Sequence, residues 1–133
     1  MGKDFFDTGV FFSALEGESE EAKMALEDAI IGDSAVTSAL TVMEYSAWCY
    51  KSKDPKDAMI FNSFLKDNYF RVRVIDWKTA ETAAAIKGEN PELTDTDAMQ
   101  LAAAIESDCS RFFTVDKKLL KVKDSRLEIK ILA

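Results

Sequence analysis

The chain has 133 residues, of which 47% are hydrophobic, and this is enough for one domain with a core of its own. Its net charge of −7 argues against nucleic-acid binding by overall charge, and no apolar run approaches the roughly 20 residues of a membrane span. The absence of histidine excludes Ser-His-Asp and Cys-His catalysis and disfavours zinc, so acid–base or metal chemistry must depend on carboxylates.

The first half of the chain alternates strand and helix signals. Short apolar runs predict strands at residues 3–6 and 34–37, and two helices follow each strand. Ser19, Ser38 and Asp54 are residue types that favour the N-cap of a helix. The predicted helices cover residues 10–15, 20–31, 39–51 and 55–68.

The second half continues this alternation. Residues 70–75 alternate in polarity and are rich in β-branched types, which predicts a strand. A helix then ends at Gly88, and Thr94 or Asp95 caps the next helix. The elements are predicted at residues 78–87 and 95–107 for the helices, 111–115 and 127–132 for the strands, and 117–121 for a short helical turn.

Strands that alternate with helices imply a mainly parallel sheet of about five strands, covered by helices on both faces as a three-layer α/β/α sandwich. We expect residues 1–133 to form a single domain. Such sheets bind ligands at the carboxyl ends of their strands, near the point where the strand order reverses. Asp7 and Asp116 come directly after predicted strands and therefore fall at such ends.

Four carboxylates, Asp7, Glu44, Asp97 and Asp116, stand within or beside apolar segments. Acids are rarely buried unless they are paired or bound to a metal. Three of them have an ordinary alternative: an Asx-turn for Asp7, a favourable helix N-terminus for Asp97 and the start of a turn for Asp116. Glu44 is harder to explain in this way, because its neighbours one helical turn away are mostly apolar.

Carboxylates brought together in one pocket repel each other, which raises their pKa values, and a divalent cation removes this penalty. Oxygen ligands favour Mg²⁺ or Mn²⁺. The chemistry that such a site performs best is phosphodiester hydrolysis. A hydroxyl at Thr114 can orient a carboxylate of this site, since Thr114 lies near the end of a predicted strand, two residues before Asp116.

Basic side chains are concentrated near the C-terminus, where residues 111–133 hold seven basic and three acidic residues. A local basic face beside an acidic pocket can hold a phosphate backbone. We expect Lys117, Lys118, Lys121 and Arg126 to form this basic face. An ordinary solvated face is the alternative.

The four acids and their surroundings resemble the PIN-domain nucleases, especially the VapC-like toxins of prokaryotic toxin–antitoxin pairs. The matching stretches are residues 5–10, 37–44, 93–105 and 113–116. The resemblance implies that Asp7, Glu44, Asp97 and Asp116 are the metal ligands and catalytic residues, and that Thr114 supports them. One departure is Gly9, where the family often carries Asn or Ser.

The resemblance further implies a metal-dependent endoribonuclease, usually a homodimer, that is restrained by a small antitoxin. In such a nuclease we expect the RNA to be bound by Lys117, Lys118, Lys121 and Arg126. Tyr45, Trp48 and Tyr50 lie near Glu44 and are residue types enriched in interfaces, so we expect them to contribute to a partner surface.

Two alternatives within the family are a PIN nuclease of RNA processing and a non-catalytic interaction domain, the second of which the intact acids oppose. A phosphatase would need Asp-x-Asp directly after the first strand, where this chain has Asp7-Thr-Gly9.

The cysteines and the N-terminus carry no redox or export signature. Cys49 and Cys109 are interpreted as two reduced structural thiols, with a disulfide or a nucleophile as the alternative. Asp4 and Asp7 interrupt the apolar stretch at the N-terminus, so no signal-peptide pattern is present. We expect a cytoplasmic protein without membrane contact.

Overall fold

A five-stranded parallel sheet forms the centre of the computed structural model, which describes residues 2–133 and so leaves Met1 of the predicted domain outside. The strands are β1 (Lys3–Phe6), β2 (Ala35–Ser38), β3 (Arg71–Arg73), β4 (Cys109–Thr114) and β5 (Glu128–Ile131). Their order across the sheet is β3-β2-β1-β4-β5, and each neighbouring pair is parallel. The predicted α/β architecture is confirmed.

Helices connect these strands, and the four that follow Ser19, Ser38, Asp54 and Thr94 begin where the capping signals placed them. Within the described residues they are α1 (Thr8–Leu15), α2 (Glu20–Ile31), α3 (Ala39–Ser52), α4 (Pro55–Asp67), α5 (Trp77–Glu89), α6 (Asp95–Glu106) and a 3-10 helix (Lys117–Lys121). The side chains of Ser19, Ser38, Asp54 and Thr94 each accept a hydrogen bond from a backbone N–H of the following helix. Of the two candidates before α6, Thr94 is therefore the cap.

Paired phenylalanines in the two central strands anchor a helical layer on each face. Phe6 of β1 stacks on Phe113 of β4 at 5.0 Å between ring centroids, in the cluster that α1–α4 complete. Phe5 stacks on Phe112 at 5.2 Å, in the cluster that α5, α6 and the 3-10 helix complete. Because successive side chains of a strand point to opposite faces, each double phenylalanine serves both layers.

The sequence-based boundaries of β3 and α5 are among those that are wrong. The strand predicted at residues 70–75 is only β3, an edge strand beyond which the side chain of Val74 is 61% exposed. Gly88 does not end α5, which continues to Glu89. The helix stops at Asn90, whose backbone N–H and side-chain Nδ2 both donate to the carbonyl of Ile86.

The strand order reverses between β1 and β4, since the chain leaves β1 for β2 on one side and reaches β4 on the other. A crevice therefore forms at the carboxyl ends of these two strands, which is where open parallel sheets bind ligands. No helix in residues 2–133 has the length and apolar character needed to cross a membrane.

Candidate metal centre

Asp7 is fixed where β1, α1 and β4 meet. Its backbone N–H donates to the carbonyl of Phe113 at 3.0 Å, which continues the pairing of the two strands. Its Oδ1 accepts the N–H of Thr8 at 2.8 Å, and its Oδ2 accepts the hydroxyl of Thr114 at 2.9 Å. Asp7 is thus the N-cap of α1, which begins at Thr8 rather than at the predicted Val10.

A cavity of about 300 Å³ opens at this edge of the sheet, and all four predicted acids line it. Asp7 and Asp116 reach it from the ends of β1 and β4, while Glu44 reaches it from α3 and Asp97 from the first turn of α6. The four residues are distant in sequence, so it is the strand order that brings them together.

A larger cavity, of about 680 Å³, is lined by residues of α2, β1 and β4. Its buried acid is Asp4, which accepts hydrogen bonds from Arg111 at 2.7 Å and from Ser34 at 2.8 Å. Because its buried charge is already paired, and its other acids, Glu21 and Asp28, are exposed to solvent, this cavity holds no buried unpaired acid that a cation would relieve.

Burial dominates the electrostatics of Asp7 and raises its pKa to about 6. The hydrogen bonds from Thr114 and Thr8 act in the opposite direction, while the charges of Asp97 and Glu44 raise the pKa further. Asp7 is therefore a desolvated carboxyl group repelled by two neighbours, which is the environment that a bound cation would relieve.

The carboxylates of the other acids differ in the number of hydrogen bonds that they already accept. Thr8 donates its hydroxyl to Oε1 of Glu44 at 2.7 Å. The alternative considered for Asp97 also holds, since it is an acid in the first turn of α6 and its N–H donates to the hydroxyl of the cap Thr94 at 3.1 Å. Within residues 2–133 the carboxylate of Asp97 itself forms no hydrogen bond or ion pair, so it is free for a ligand in the cavity.

Asp116 starts a helical turn, which is the ordinary alternative considered for it, and it also lines the cavity. Its Oδ1 accepts the N–H of Lys118 at 3.0 Å and so caps the 3-10 helix. Its own N–H donates to the hydroxyl of Thr114 at 3.1 Å, and that hydroxyl donates in turn to Asp7. Thr114 therefore orients the carboxylate of Asp7 and the backbone of Asp116.

The donor set fits a hard, hydrated cation. No group of three or more acidic or cysteine side chains in residues 2–133 is drawn together closely enough to enclose a metal ion. Mg²⁺ commonly binds through only one or two carboxylates and keeps several waters, and Mn²⁺ accepts the same oxygen ligands. A cavity with unneutralised acids satisfies this requirement, and the direct ligands among the four acids stay a prediction.

Sequence reasoning missed a buried polar network behind the acids. Gln100 of α6 is only 2% exposed, and its Nε2 donates to Thr41 Oγ1 at 2.9 Å and to Thr8 Oγ1 at 3.3 Å. Its Oε1 accepts the hydroxyl of Ser38. The available signal was a lone amide one helical turn after Asp97 in an otherwise apolar helix.

The predicted RNA-binding residues occupy two different places. Lys117, Lys118 and Lys121 are exposed on the 3-10 helix directly after Asp116. Arg126 lies in the turn before β5, and its guanidinium forms hydrogen bonds of 2.7 and 2.9 Å with Asp124. RNA binding by all four stays a prediction, and Asp124 already neutralises one of them.

The aromatic residues of α3 do not form one exposed surface. Tyr45 is 4% exposed, stacks on Phe61 at 4.1 Å and donates its hydroxyl to Glu16. Trp48 packs edge-on against Phe12, and Tyr50 alone of the three is fully exposed. The expectation that Tyr45 contributes to a partner surface is therefore wrong, because it belongs to the core.

Comparison with known proteins places this geometry in a family. The sequence profile of the PIN domain matches residues 5–125, which include all four acids of the cavity. No curated protein is a significant match in sequence.

Solved structures share the fold over nearly the whole chain. A toxin–antitoxin complex from Klebsiella pneumoniae is 23% identical, with a TM-score of 0.73 and coverage of 95% of this chain and 96% of its own. VapBC2 from Rickettsia felis, bound to a DNA fragment from its promoter, is 14% identical, with a TM-score of 0.78 and coverage of 98% of each chain. DNA-bound VapBC from Salmonella typhimurium is 17% identical, with a TM-score of 0.78 and coverage of 97% and 98%.

Proposed function

The chain belongs to the PIN domain family, and we propose that it is a metal-dependent endoribonuclease that hydrolyses RNA phosphodiester bonds. The observation that carries this proposal is the state of Asp7. It is a partly buried carboxyl group with its pKa raised to about 6, in a cavity that it shares with Glu44, Asp97 and Asp116. Such a concentration of unneutralised acid calls for a cation.

Mg²⁺ or Mn²⁺ would be held by Asp7, Glu44, Asp97 and Asp116, and when bound it supplies an activated water and neutralises charge on the phosphate. The protein's own contribution is orientation. Thr114 and the N–H of Thr8 fix the two oxygens of Asp7, and the hydroxyl of Thr8 fixes one oxygen of Glu44. Asp97, which has no competing partner in residues 2–133, can turn toward the cation or its waters.

The substrate class follows from charge as well as from family. Lys117 and Lys118 begin the 3-10 helix directly after Asp116, so two exposed cations follow an acid that lines the cavity. A phosphate backbone can bind these lysines while a scissile phosphate lies near the cavity. This arrangement supports RNA as the substrate.

We assign the enzyme to the toxin of a toxin–antitoxin pair, because the matched structures are toxin–antitoxin complexes that share its fold. The partners proposed are a small antitoxin and a second copy of the chain. Exposed apolar side chains on α3 and α4 support a protein partner: Met43, Tyr50, Met59 and Ile60.

The test is cleavage of a single-stranded RNA by the purified protein, with added Mn²⁺ or with EDTA. We expect cleavage with Mn²⁺, none with EDTA, and loss of at least about a hundredfold in Asp97→Asn, whose ligand charge is gone. The matched control is Asp95→Asn, since Asp95 begins the same helix but pairs with Lys87 outside the cavity. EDTA-resistant cleavage, or equal activity of the two variants, would contradict the proposal.

A further inference from the structure

A continuous set of buried hydrogen bonds leads from α6 to Glu44. Gln100 contacts Thr41 at 2.9 Å and Thr8 at 3.3 Å, and Thr8 contacts Glu44 at 2.7 Å. Ser38, Thr41 and Gln100 are each 2% exposed or less, and Thr8 is 7% exposed. These groups are therefore largely closed to water, although Thr8 and Gln100 border the cavity, and their protons find acceptors mainly within the set.

The number of protons available fixes the direction of the bonds around Thr8. A threonine hydroxyl has one proton and two acceptor sites, and a glutamine Nε2 only donates. The oxygen of Thr8 accepts from Gln100 and lies 3.1 Å from the hydroxyl of Thr41, which can fill its second acceptor site. With both acceptor sites filled, Thr8 donates its single hydroxyl proton to its nearest neighbour, Oε1 of Glu44, at 2.7 Å.

The orientation of the Gln100 amide follows from the same reasoning. The hydroxyl of Ser38 accepts the N–H of Leu40 at 3.1 Å and donates its proton to Oε1 of Gln100. If the amide of Gln100 were flipped, its oxygen would face Thr8 and Thr41 and would accept their hydroxyl protons. The 2.7 Å approach of Thr8 to Glu44 would then lack the proton of Thr8.

We propose that Gln100 is a positioning residue for Glu44, acting through Thr8 to hold the carboxylate as an aimed acceptor at the cavity. The inference deepens the proposed function and rests on it. Gln100 also lies one helical turn after Asp97, so the same side chain ties the helix of one acid to the side chain of another. Partners that orient a ligand typically change metal affinity or activity by about 10–100-fold when removed.

The experiment compares Mn²⁺ affinity, measured by calorimetric titration, and the kinetics of RNA cleavage in wild type and Gln100→Met. Methionine matches the length of glutamine but cannot donate to the threonines. We expect Mn²⁺ affinity to fall about tenfold or more. We also expect kcat to fall while KM for RNA stays unchanged, because the lysines of the 3-10 helix are untouched.

Thr37→Val is the matched structural control. Thr37 is fully buried, and its hydroxyl donates to the carbonyl of Phe6 at 2.8 Å, so the variant loses a buried bond that does not lead to Glu44. It should lower the melting temperature and leave Mn²⁺ affinity unchanged. Thr8→Ser keeps the hydroxyl and should keep the affinity, whereas Thr8→Val should reproduce the loss seen in Gln100→Met.

Because Thr8 lies nearer the surface than Gln100, its variants decide the question if Gln100→Met does not fold. Wild-type Mn²⁺ affinity in Gln100→Met or Thr8→Val, or an equal loss in Thr37→Val, would overturn the positioning role alone. An unmodified protein that neither binds Mn²⁺ nor cleaves RNA would overturn the proposed function and this inference together.

Discussion

At the scale of single residues, Asp7 connects burial to pH dependence. Its pKa of about 6 in the folded protein lies above the ordinary value of 3.8, chiefly because burial penalises the charged form. Protonation of Asp7 therefore favours the folded state fully below about pH 4, and this stabilisation is lost as the pH rises through about 6. The difference corresponds to a free energy on the order of 3 kcal/mol.

Asp7→Asn should therefore make the metal-free protein more stable than wild type at about pH 8, by up to about 3 kcal/mol, with little difference at about pH 4. Asparagine is also a good N-cap, so the start of α1 is preserved. Urea denaturation at the two pH values measures the effect.

Asp76→Asn is the control, because the pKa of Asp76 is shifted in the opposite direction from the pKa of Asp7. Asp76 caps α5, and hydrogen bonds from Thr79 lower its pKa, so its charge favours the folded state above the ordinary pKa. This variant should gain no stability at about pH 8. An Asp7→Asn protein that is destabilised at high pH would show that Asp7 is not the repelled, desolvated group described.

Gly9 shows why this chain departs from the Asn or Ser that is frequent in its family. A Cβ at this position would lie 2.8 Å from Cγ2 of Val115, which fills the space beside α1. Gly9→Ala should destabilise the protein by about 1–3 kcal/mol through overpacking, although alanine favours helix by about 1 kcal/mol.

In a Val115→Ala background the same change at Gly9 should become neutral or stabilising, since the space is then open. Urea unfolding of the two single variants, the double variant and wild type completes the thermodynamic cycle. Additive effects of the two substitutions would refute this explanation of the pocket wall.

The sequence predicts the acids of the site better than their supports. Glu44 stands out because a charge among apolar helical neighbours needs a partner, and in the structure it lines the same cavity as the other acids. Gln100 and Thr8 do not stand out, because an amide and a hydroxyl become informative only when the fold buries them together. The sequence indicates Thr114 because it precedes Asp116 by two residues, yet in the structure its hydroxyl donates to Asp7.

At the scale of elements, the 3-10 helix carries the prediction about RNA. Its exposed Lys117 and Lys118 directly follow Asp116, which lines the cavity, whereas the overall charge of −7 repels RNA. Reversing both lysines to Glu should weaken RNA binding. It should also reduce the salt dependence of affinity, by about one unit of log–log slope for each phosphate that the protein no longer neutralises.

The matched control reverses Lys66 and Lys78, which are exposed at the end of α4 and the start of α5 and change the net charge equally. Filter-binding titrations over a range of salt concentrations compare the two double variants. Equal loss of affinity in both would mean that bulk charge, and not the 3-10 helix, governs RNA binding.

The positions of the elements were largely predictable because capping and periodicity are local properties of the chain. Ser19, Ser38 and Asp54 cap the helices assigned to them. The errors occurred where tertiary structure decides the outcome. The β-branched run after Phe70 pairs over only three residues at a sheet edge, and Gly88 is accommodated inside α5.

At the scale of the whole molecule, the strand order creates the site. Alternating strands and helices predict a parallel sheet, but no local pattern states that β1 and β4 are neighbours. Their register pairs Phe6 with Phe113, so the next residues, Asp7 and Thr114, come within hydrogen-bonding distance. A divalent cation bound there should stabilise the fold by mass action, by about 2.7 kcal/mol at a concentration one hundred times its Kd.

Calorimetric titration of Mn²⁺ into the metal-free protein near neutral pH, with the melting temperature followed in parallel, tests the central claim most directly. The acids of the cavity predict saturable binding and a higher melting temperature in wild type. The same response is expected in Asp95→Asn, and its loss in Asp97→Asn. Absence of binding in wild type, or undiminished binding in Asp97→Asn, would contradict a metal centre at the carboxyl ends of β1 and β4.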